Sequence, residues 1–195
     1  MMIVRMMIAT CIALGACGGK AAVADGTGEA PAPEAKLDPA AVAAVQAKVP
    51  AGVALSFEVV KGDKDRFVAV QPKGWETGVI PGRVKPPMDS SLGFMTSFST
   101  GTNCDGVCEP KDWALVVDRI EFAQFGGKFH KDEKLPDGRL VVVKSADRVD
   151  IALARWKEGA DHYFVCRATL DREVMAASDA FEEACRQMQP LTWGR

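Results

Sequence analysis

Three consecutive segments near the C-terminus combine apolar, β-branched and aromatic residues in the way typical of strands. They run from Leu140 to Lys144, from Val149 to Trp156 and from His162 to Thr169. Only short turn-like sequences separate them, which favours an antiparallel meander. A helix is predicted next, from about Asp171 to Gln189, and Pro190 ends it. This order predicts an α+β fold: a single two-layer domain in which an antiparallel β-sheet carries a C-terminal helix packed on one face.

The N-terminus has the features of a secretory signal. Arg5 gives a positively charged start, and an uncharged, largely apolar run follows from Met6 to Ala16. That run is too short for a membrane-spanning helix but suits the apolar region of a signal peptide. It ends in Leu14-Gly15-Ala16-Cys17, which resembles the lipobox of bacterial lipoproteins. The resemblance implies that residues 1–16 are a signal peptide and that Cys17 is lipidated.

The same resemblance implies a place in the cell. In such lipoproteins a residue other than Asp after the lipidated cysteine favours the outer membrane, and Gly18 follows Cys17. Residues 17–38 are mostly Ala, Gly, Pro and Glu, and they lack the large apolar residues that offset ordering entropy. A flexible tether is therefore predicted there, followed by a single α+β domain over residues 39–195. We expect a lipid-anchored protein of the bacterial cell envelope, on the outer membrane and facing the periplasm.

The cysteines of the mature domain fit that oxidising compartment. Strand alternation puts Cys166 on an apolar face, and helical spacing puts Cys185 on the apolar stripe of the next element. Both thiols then face the core in consecutive elements, which predicts a disulfide between them. By elimination, Cys104 pairs with Cys108 and closes a small loop.

Other elements are predicted before the meander. Asp38-Pro39 is suited to begin a short helix from Ala40 to Val49. Alternation from Val53 to Val59 and again from Phe67 to Val70 indicates a hairpin, because a turn containing Gly and Asp separates the two runs. A further strand is predicted from Leu92 to Phe98. These segments supply additional strands to the α+β domain.

The segment after Pro110 has two interpretations. Apolar residues recur at helical spacing from Trp113 to Ala123, which favours a helix. Residues 114–122 also alternate between apolar and polar types, and that pattern is compatible with a strand. The helix is the preferred prediction.

A short sequence in the predicted hairpin resembles a known fold family. Arg66 to Trp75 reads RFVAVQPKGW, a strand that runs into proline and Gly-Trp. It is similar to the start of PsbP and Mog1-like domains, which also place a helix after a closing antiparallel meander. The resemblance covers these few residues and, loosely, the order of elements. It implies an α+β fold of that type and no particular activity, because one fold serves many functions.

The pair Cys104 and Cys108 also has a chemical interpretation. Its C-x-x-x-C spacing resembles that of Sco-type copper chaperones, which use a distant histidine as third ligand. That resemblance implies a copper or dithiol redox site with His130 or His162 as the additional ligand. The chain departs from the pattern because Glu109, not proline, follows the second cysteine, and because meander strands replace the expected βαβ run. The structural alternative is a loop-closing disulfide with no metal.

A proline-rich stretch is the candidate contact surface. Residues 72–90 contain four prolines and three glycines, and such a long loop often has a role. Residues 72–88 of this stretch are the predicted contact, and one aromatic, two basic and one flexible apolar side chain in them are candidates for contact with a protein partner: Trp75, Arg83, Lys85 and Met88. The alternative for Trp75 is that it packs down onto the sheet.

Composition and motifs exclude several functions. The formal net charge is −2 with acids and bases interspersed, so no basic stripe indicates nucleic acid. Signatures of serine hydrolases, zinc peptidases and P-loop enzymes are absent from the sequence. We therefore expect no cofactor and rank binding above catalysis. The leading hypothesis is a non-enzymatic binding or structural module of the envelope, and the alternative is a copper-binding or dithiol redox accessory protein.

Overall fold

A computed structural model describes residues 39–62, 64–93, 95–104, 106, 108–109 and 111–194. These residues belong to one compact unit. The predicted signal peptide, the tether and Cys17 lie outside the described residues. In the part that is described, no helix combines the length and the apolar character needed to cross a membrane.

The described residues form ten strands and three α-helices. In chain order they are α1 (Pro39–Gln46), β1 (Phe57–Gly62), β2 (Phe67–Pro72), β3 (Glu76–Thr77), β4 (Arg83–Lys85), β5 (Ser97–Asn103), α2 (Trp113–Val117), β6 (Lys131–Leu135), β7 (Gly138–Lys144), β8 (Arg148–Arg155), β9 (Tyr163–Asp171), α3 (Ser178–Arg186) and β10 (Gln189–Pro190). A π-helical turn, Asp118–Phe122, and a 3-10 turn, Ala123–Phe125, continue α2 without a break. We call this continuous stretch the 113–125 segment.

The strands form two antiparallel sheets. The large sheet has seven strands in the order β3-β4-β5-β9-β8-β7-β6, and the small sheet has the order β1-β2-β10. The predicted meander forms the centre of the large sheet, because β7 pairs with β8 and β8 pairs with β9. The predicted hairpin forms β1 and β2 of the small sheet. The α+β fold with antiparallel sheets is therefore confirmed.

The main core lies between the two sheets and contains α3. Phe181 of α3 contacts aromatic rings from three other parts of the chain. Its ring centroid lies 5.6 Å from that of Phe57 in β1, 5.7 Å from that of Trp75 and 6.0 Å from that of Phe98 in β5. Aromatic contacts of this kind stabilise the fold beyond what the burial of their apolar surface contributes. The predicted C-terminal helix on one face of the sheet is thus confirmed.

The opposite face of the large sheet is covered over half its width. The 113–125 segment packs there on alternate residues of the central strands, with Trp113 5.3 Å from Tyr163 between ring centroids. The indole nitrogen of Trp113 also donates to the carbonyl of Ala160 at 2.8 Å. The helix prediction for this segment is confirmed and the strand alternative is wrong. Over this half, other elements pack on both faces of the sheet: α3 on one face and the 113–125 segment on the other.

Several element boundaries differ from the prediction, and one of these differences has a clear physical reason. Strand β9 continues to Asp171, and α3 begins only at Ser178 after a 3-10 turn, Met175–Ala177. Helical spacing of apolar residues extends across that turn, so spacing alone does not reveal where the helix starts. The strand predicted from Leu92 to Phe98 begins at Ser97, and Phe94 lies outside the described residues.

Strand β6 was not predicted from the sequence. It is an edge strand in which four of the five residues are charged, so it lacks the apolar alternation of a half-buried strand. Arg186 of α3 donates to Glu133 at 3.0 Å, and Arg139 of β7 donates to both carboxylate oxygens of Asp132 at 2.8 Å. These hydrogen bonds hold the pKa of each carboxyl group below its ordinary value. Ion pairs therefore hold this edge in place where apolar packing does not.

Both predicted disulfides are present. Cys166 of β9 is bonded to Cys185 of α3, with their Cα atoms 5.4 Å apart, and both side chains are fully buried. Cys104 is bonded to Cys108, with their Cα atoms 4.8 Å apart. The first bond joins the large sheet to α3 and the second closes a short surface loop.

We expect the double substitution Cys166→Ala with Cys185→Ala to lower the free energy of unfolding by about 3 kcal/mol. The physical reason is that the longer cross-linked loop removes more conformational freedom from the unfolded chain. Chemical denaturation of purified protein measures the change. The matched control is Cys104→Ala with Cys108→Ala, whose shorter loop should give a loss nearer to about 2 kcal/mol. A larger loss of unfolding free energy in the control variant would contradict the expectation that the bond between Cys166 and Cys185 stabilises the fold more.

Candidate functional site

The uncovered half of the large sheet's second face is polar. On this face, register places Arg83 of β4 opposite Ser99 of β5, and Ser99 opposite Arg167 of β9. In the next row on the same face, Ser97 of β5 lies opposite Thr169 of β9, which lies opposite Asp150 of β8. Two polar rows therefore continue a face whose other half is apolar and covered by the 113–125 segment.

These rows line an open cleft with a volume of about 240 Å³. We call it the polar cleft. Its wall on one side is the end of the 113–125 segment, through Gln124 and Phe125, and Ile80 lies on the β4 side. Three arginines reach it from three strands: Arg83, Arg148 and Arg167.

A close approach of two strands places Arg83 at the cleft. Gly82 has a φ of 73°, a left-handed conformation that favours glycine. A side chain at this position would collide with the carbonyl oxygen of Thr100, while the Thr100 amide donates to the Gly82 carbonyl at 3.0 Å. Arg83 follows immediately, and its guanidinium donates to the Ser97 hydroxyl at 2.9 Å.

A fully buried carboxylate stands beside the cleft. Glu121 is 0% exposed and lies in the π-helical turn, a type of irregularity that is frequent at functional sites. The Tyr163 hydroxyl donates to its Oε1 at 2.7 Å, the Asn103 amide donates to the same oxygen at 3.4 Å, and the Arg167 guanidinium donates to Oε2. The side chain of Arg167 is 42% exposed, so it connects the buried network to the open cleft.

The remaining arginine is paired on the surface of the cleft. Arg148 donates to Asp150 at 2.6 Å, and the Thr169 hydroxyl donates to the same carboxylate at 3.0 Å. This hydrogen bond to Asp150 raises the pKa of Arg148, although partial burial opposes the shift. The polar cleft thus presents guanidinium and hydroxyl donors, a set suited to binding an anion.

We expect Arg167→Ala to lower the free energy of unfolding by about 3 kcal/mol, because it leaves the buried Glu121 carboxylate without its cationic partner. Thermal or chemical denaturation measures the loss. In the double variant with Glu121→Gln, the buried group is neutral, and much of the lost stability should return. An Arg167→Ala protein as stable as the parent would show that the pair contributes nothing.

A second cleft is larger but is lined by fewer charged side chains. It has a volume of about 560 Å³ and lies between the small sheet and the β4–β5 edge of the large sheet. Lys61 is its only charged lining residue among those described, and the lining includes Gly62, Gly82 and Gly101. No charged groups converge there, so the polar cleft is the better candidate site.

The residues predicted to contact a partner lie in different surroundings. Trp75 is half-buried against Phe181, so its side chain packs on the core. Arg83 lines the polar cleft, while Lys85 and Met88 line a separate depression next to the β3–β4 hairpin. Met88 is almost fully exposed, at 92%. The structure therefore divides the four between the core, the polar cleft and the outer surface.

The four residues considered as metal ligands are also dispersed. Cys104 and Cys108 are joined to each other. His130 is exposed just before β6, and His162 is buried just before β9 with its ring edge-on to Phe164 at 4.9 Å. His162 also contacts the Asp161 carboxylate, and this hydrogen bond holds the pKa of Asp161 below its ordinary value. Within the described ranges, no three His, Cys, Asp or Glu side chains form a group that fits a metal ion.

Sequence reasoning missed most of the site. It named Arg83, although only as a candidate for protein contact, and it did not name Glu121, Tyr163, Ser99 or Arg167. One signal was available: Glu121 falls four residues after Val117 and eight after Trp113, so it interrupts the apolar stripe of the predicted helix. A charge on such a stripe needs a buried partner. The sequence does not show that this partner is Arg167, because Arg167 lies 46 positions further along the chain.

Comparisons with known proteins do not assign the chain to a family. No protein-family model matches the chain, and no curated protein matches it. Among solved structures, the chain is weakly similar to the Saccharomyces cerevisiae Ran-binding protein Mog1p, with a TM-score of 0.43 and 11% sequence identity. The match covers 71% of this chain and 97% of that one. A likeness at this level assigns neither a function nor a partner to the chain.

Proposed function

We propose that the chain is an outer-membrane lipoprotein whose periplasmic domain is a non-enzymatic module that binds another protein of the cell envelope. The signal-like N-terminus, the lipobox resemblance at Cys17 and the tether over residues 17–38 support the anchored location. Two disulfides support an oxidising compartment. The absence of familiar catalytic motifs from the sequence favours binding over catalysis.

The observation that carries the binding role is a concentration of exposed apolar side chains. Six large hydrophobic side chains are exposed among the described residues, and four of them fall between positions 79 and 95: Val79, Ile80, Met88 and Met95. Contiguous exposed apolar surface marks contact sites more often than single exposed side chains do, and these four residues are close together in the chain. The predicted contact stretch, residues 72–88, contains three of the four.

The base of this stretch is fixed. Trp75 packs on Phe181, and β3 pairs with β4, so the turn between them projects from a supported hairpin. Val79 at that turn is fully exposed, at 103%. A rigid support lowers the entropy lost on binding, which makes an exposed apolar turn an effective contact. We therefore place the protein contact on this turn and on the neighbouring Met88.

Lipid anchoring is tested by Cys17→Ser in the full chain, expressed in a bacterium with labelled palmitate. We expect the parent to carry the label and to fractionate with the outer membrane, and the variant to do neither. The matched control is Cys11→Ser, which should keep the label because Cys11 lies in the peptide predicted to be removed. A labelled Cys17→Ser protein would contradict the anchor.

The contact is tested by placing a photo-crosslinking side chain at Val79 of the anchored protein in intact cells. We expect a discrete adduct with another envelope protein. The control position is Leu115 on α2, which is also exposed, at 69%, but lies outside the stretch from 79 to 95. Equal adducts from both positions, or none from position 79, would argue against the proposed contact.

A further inference from the structure

Among the described residues, not every arginine of the polar cleft is paired with a carboxylate. Arg148 is paired with Asp150, and Arg167 is paired with Glu121. Arg83 makes a hydrogen bond to the Ser97 hydroxyl and has no carboxylate partner within the described part of the chain. Of the three guanidiniums that line the cleft, the one on Arg83 is therefore not neutralised by a paired carboxylate among those the structure describes.

Donor groups also remain available. The contact between Arg167 and Glu121 uses Nη2, while the buried Nε of Arg167 finds no acceptor among the described residues. The bond from Arg83 to Ser97 likewise uses one terminal nitrogen. A buried N–H group without an acceptor is costly, and an anion bound against the exposed part of the Arg167 guanidinium would bring an acceptor close to it.

The register places these residues side by side on one face of the sheet. Arg83 and Arg167 lie on either side of Ser99 in three neighbouring strands. Strands two positions apart in a sheet are separated by about 10 Å, a gap that two arginine side chains can span from opposite sides. The Ser99 hydroxyl lies between them on the same face. Guanidinium and hydroxyl donors from three neighbouring strands therefore line one cleft.

From this arrangement we infer that the polar cleft binds the phosphate group of a small anionic ligand. A phosphate has several acceptor oxygens in a tetrahedral arrangement, which matches donors arriving from different directions better than a planar carboxylate does. Ile80 and Phe125 flank the charged floor and supply apolar contact for the carbon part of the ligand. The cleft volume of about 240 Å³ suits a molecule of the size of glycerol phosphate. The inference does not depend on the lipid anchor or on the protein contact.

The phosphate has two possible sources, a free organic phosphate or a phospholipid headgroup, and the experiment separates them. The chain from residue 39 onward, whose described residues form one compact unit, is titrated with inorganic phosphate and with glycerol 3-phosphate by calorimetry. In parallel, it is mixed with phosphatidylcholine vesicles with or without phosphatidylglycerol and sedimented. Binding should weaken as salt is added, because the contacts are ionic.

The test variant is Arg83→Gln, since Arg83 has no paired carboxylate in the described ranges and its loss should leave the fold intact. We expect about 10-fold weaker binding of whichever probe is bound. The matched control is Arg172→Gln, which removes the same charge from an exposed residue outside the cleft and should leave affinity unchanged. Thermal unfolding confirms that both variants are folded.

Each outcome bears on the inference. Binding of glycerol 3-phosphate or inorganic phosphate that depends on Arg83 supports it and indicates a free ligand. Sedimentation only with phosphatidylglycerol vesicles that depends on Arg83 supports it and indicates a headgroup. No binding in either arm overturns it, and so does binding that Arg83→Gln and Arg172→Gln weaken equally.

Discussion

The contact of Phe181 with rings from both sheets determines where the layers of the domain lie. Phe57 comes from the small sheet, Phe98 from the large sheet and Trp75 from the segment between them, and all three meet this one side chain. The bond between Cys185 and Cys166 fixes the same helix to the large sheet one turn further on. Removing either would loosen α3, and the small sheet would then lose the surface on which it packs.

Because α3 and the small sheet pack on one face of the large sheet, the other face is available for a second role. Its residues on β7 and β8, together with Tyr163, are mostly apolar and lie under the 113–125 segment. Toward β5 and β4 the same face becomes polar, and no element covers it within the described ranges. The buried pair of Glu121 and Arg167 lies at this boundary, so it joins the packed half to the open half.

The sequence was informative where a pattern is local. Alternation in the meander and the stripe of α3 were enough to predict the pairing of Cys166 with Cys185, since each pattern shows which way its cysteine faces. Strand β6 was not predicted, because a charged edge strand has no apolar period. The polar cleft was not predicted either. It depends on the register of Arg83, Ser99 and Arg167 across three strands, and register between distant segments is decided by tertiary packing.

The charged character of β6 has a consequence for how copies of the protein behave when crowded. A bare strand edge is a template onto which another chain can add, and proteins often avoid this with short or charged edges. Here one edge of the large sheet is β3, only two residues long, and the other is β6, which carries Lys and Asp or Glu side chains along its length. A neighbouring molecule would have to strip water from those charges to extend the sheet. The large sheet is therefore terminated at both ends against growth into an aggregate.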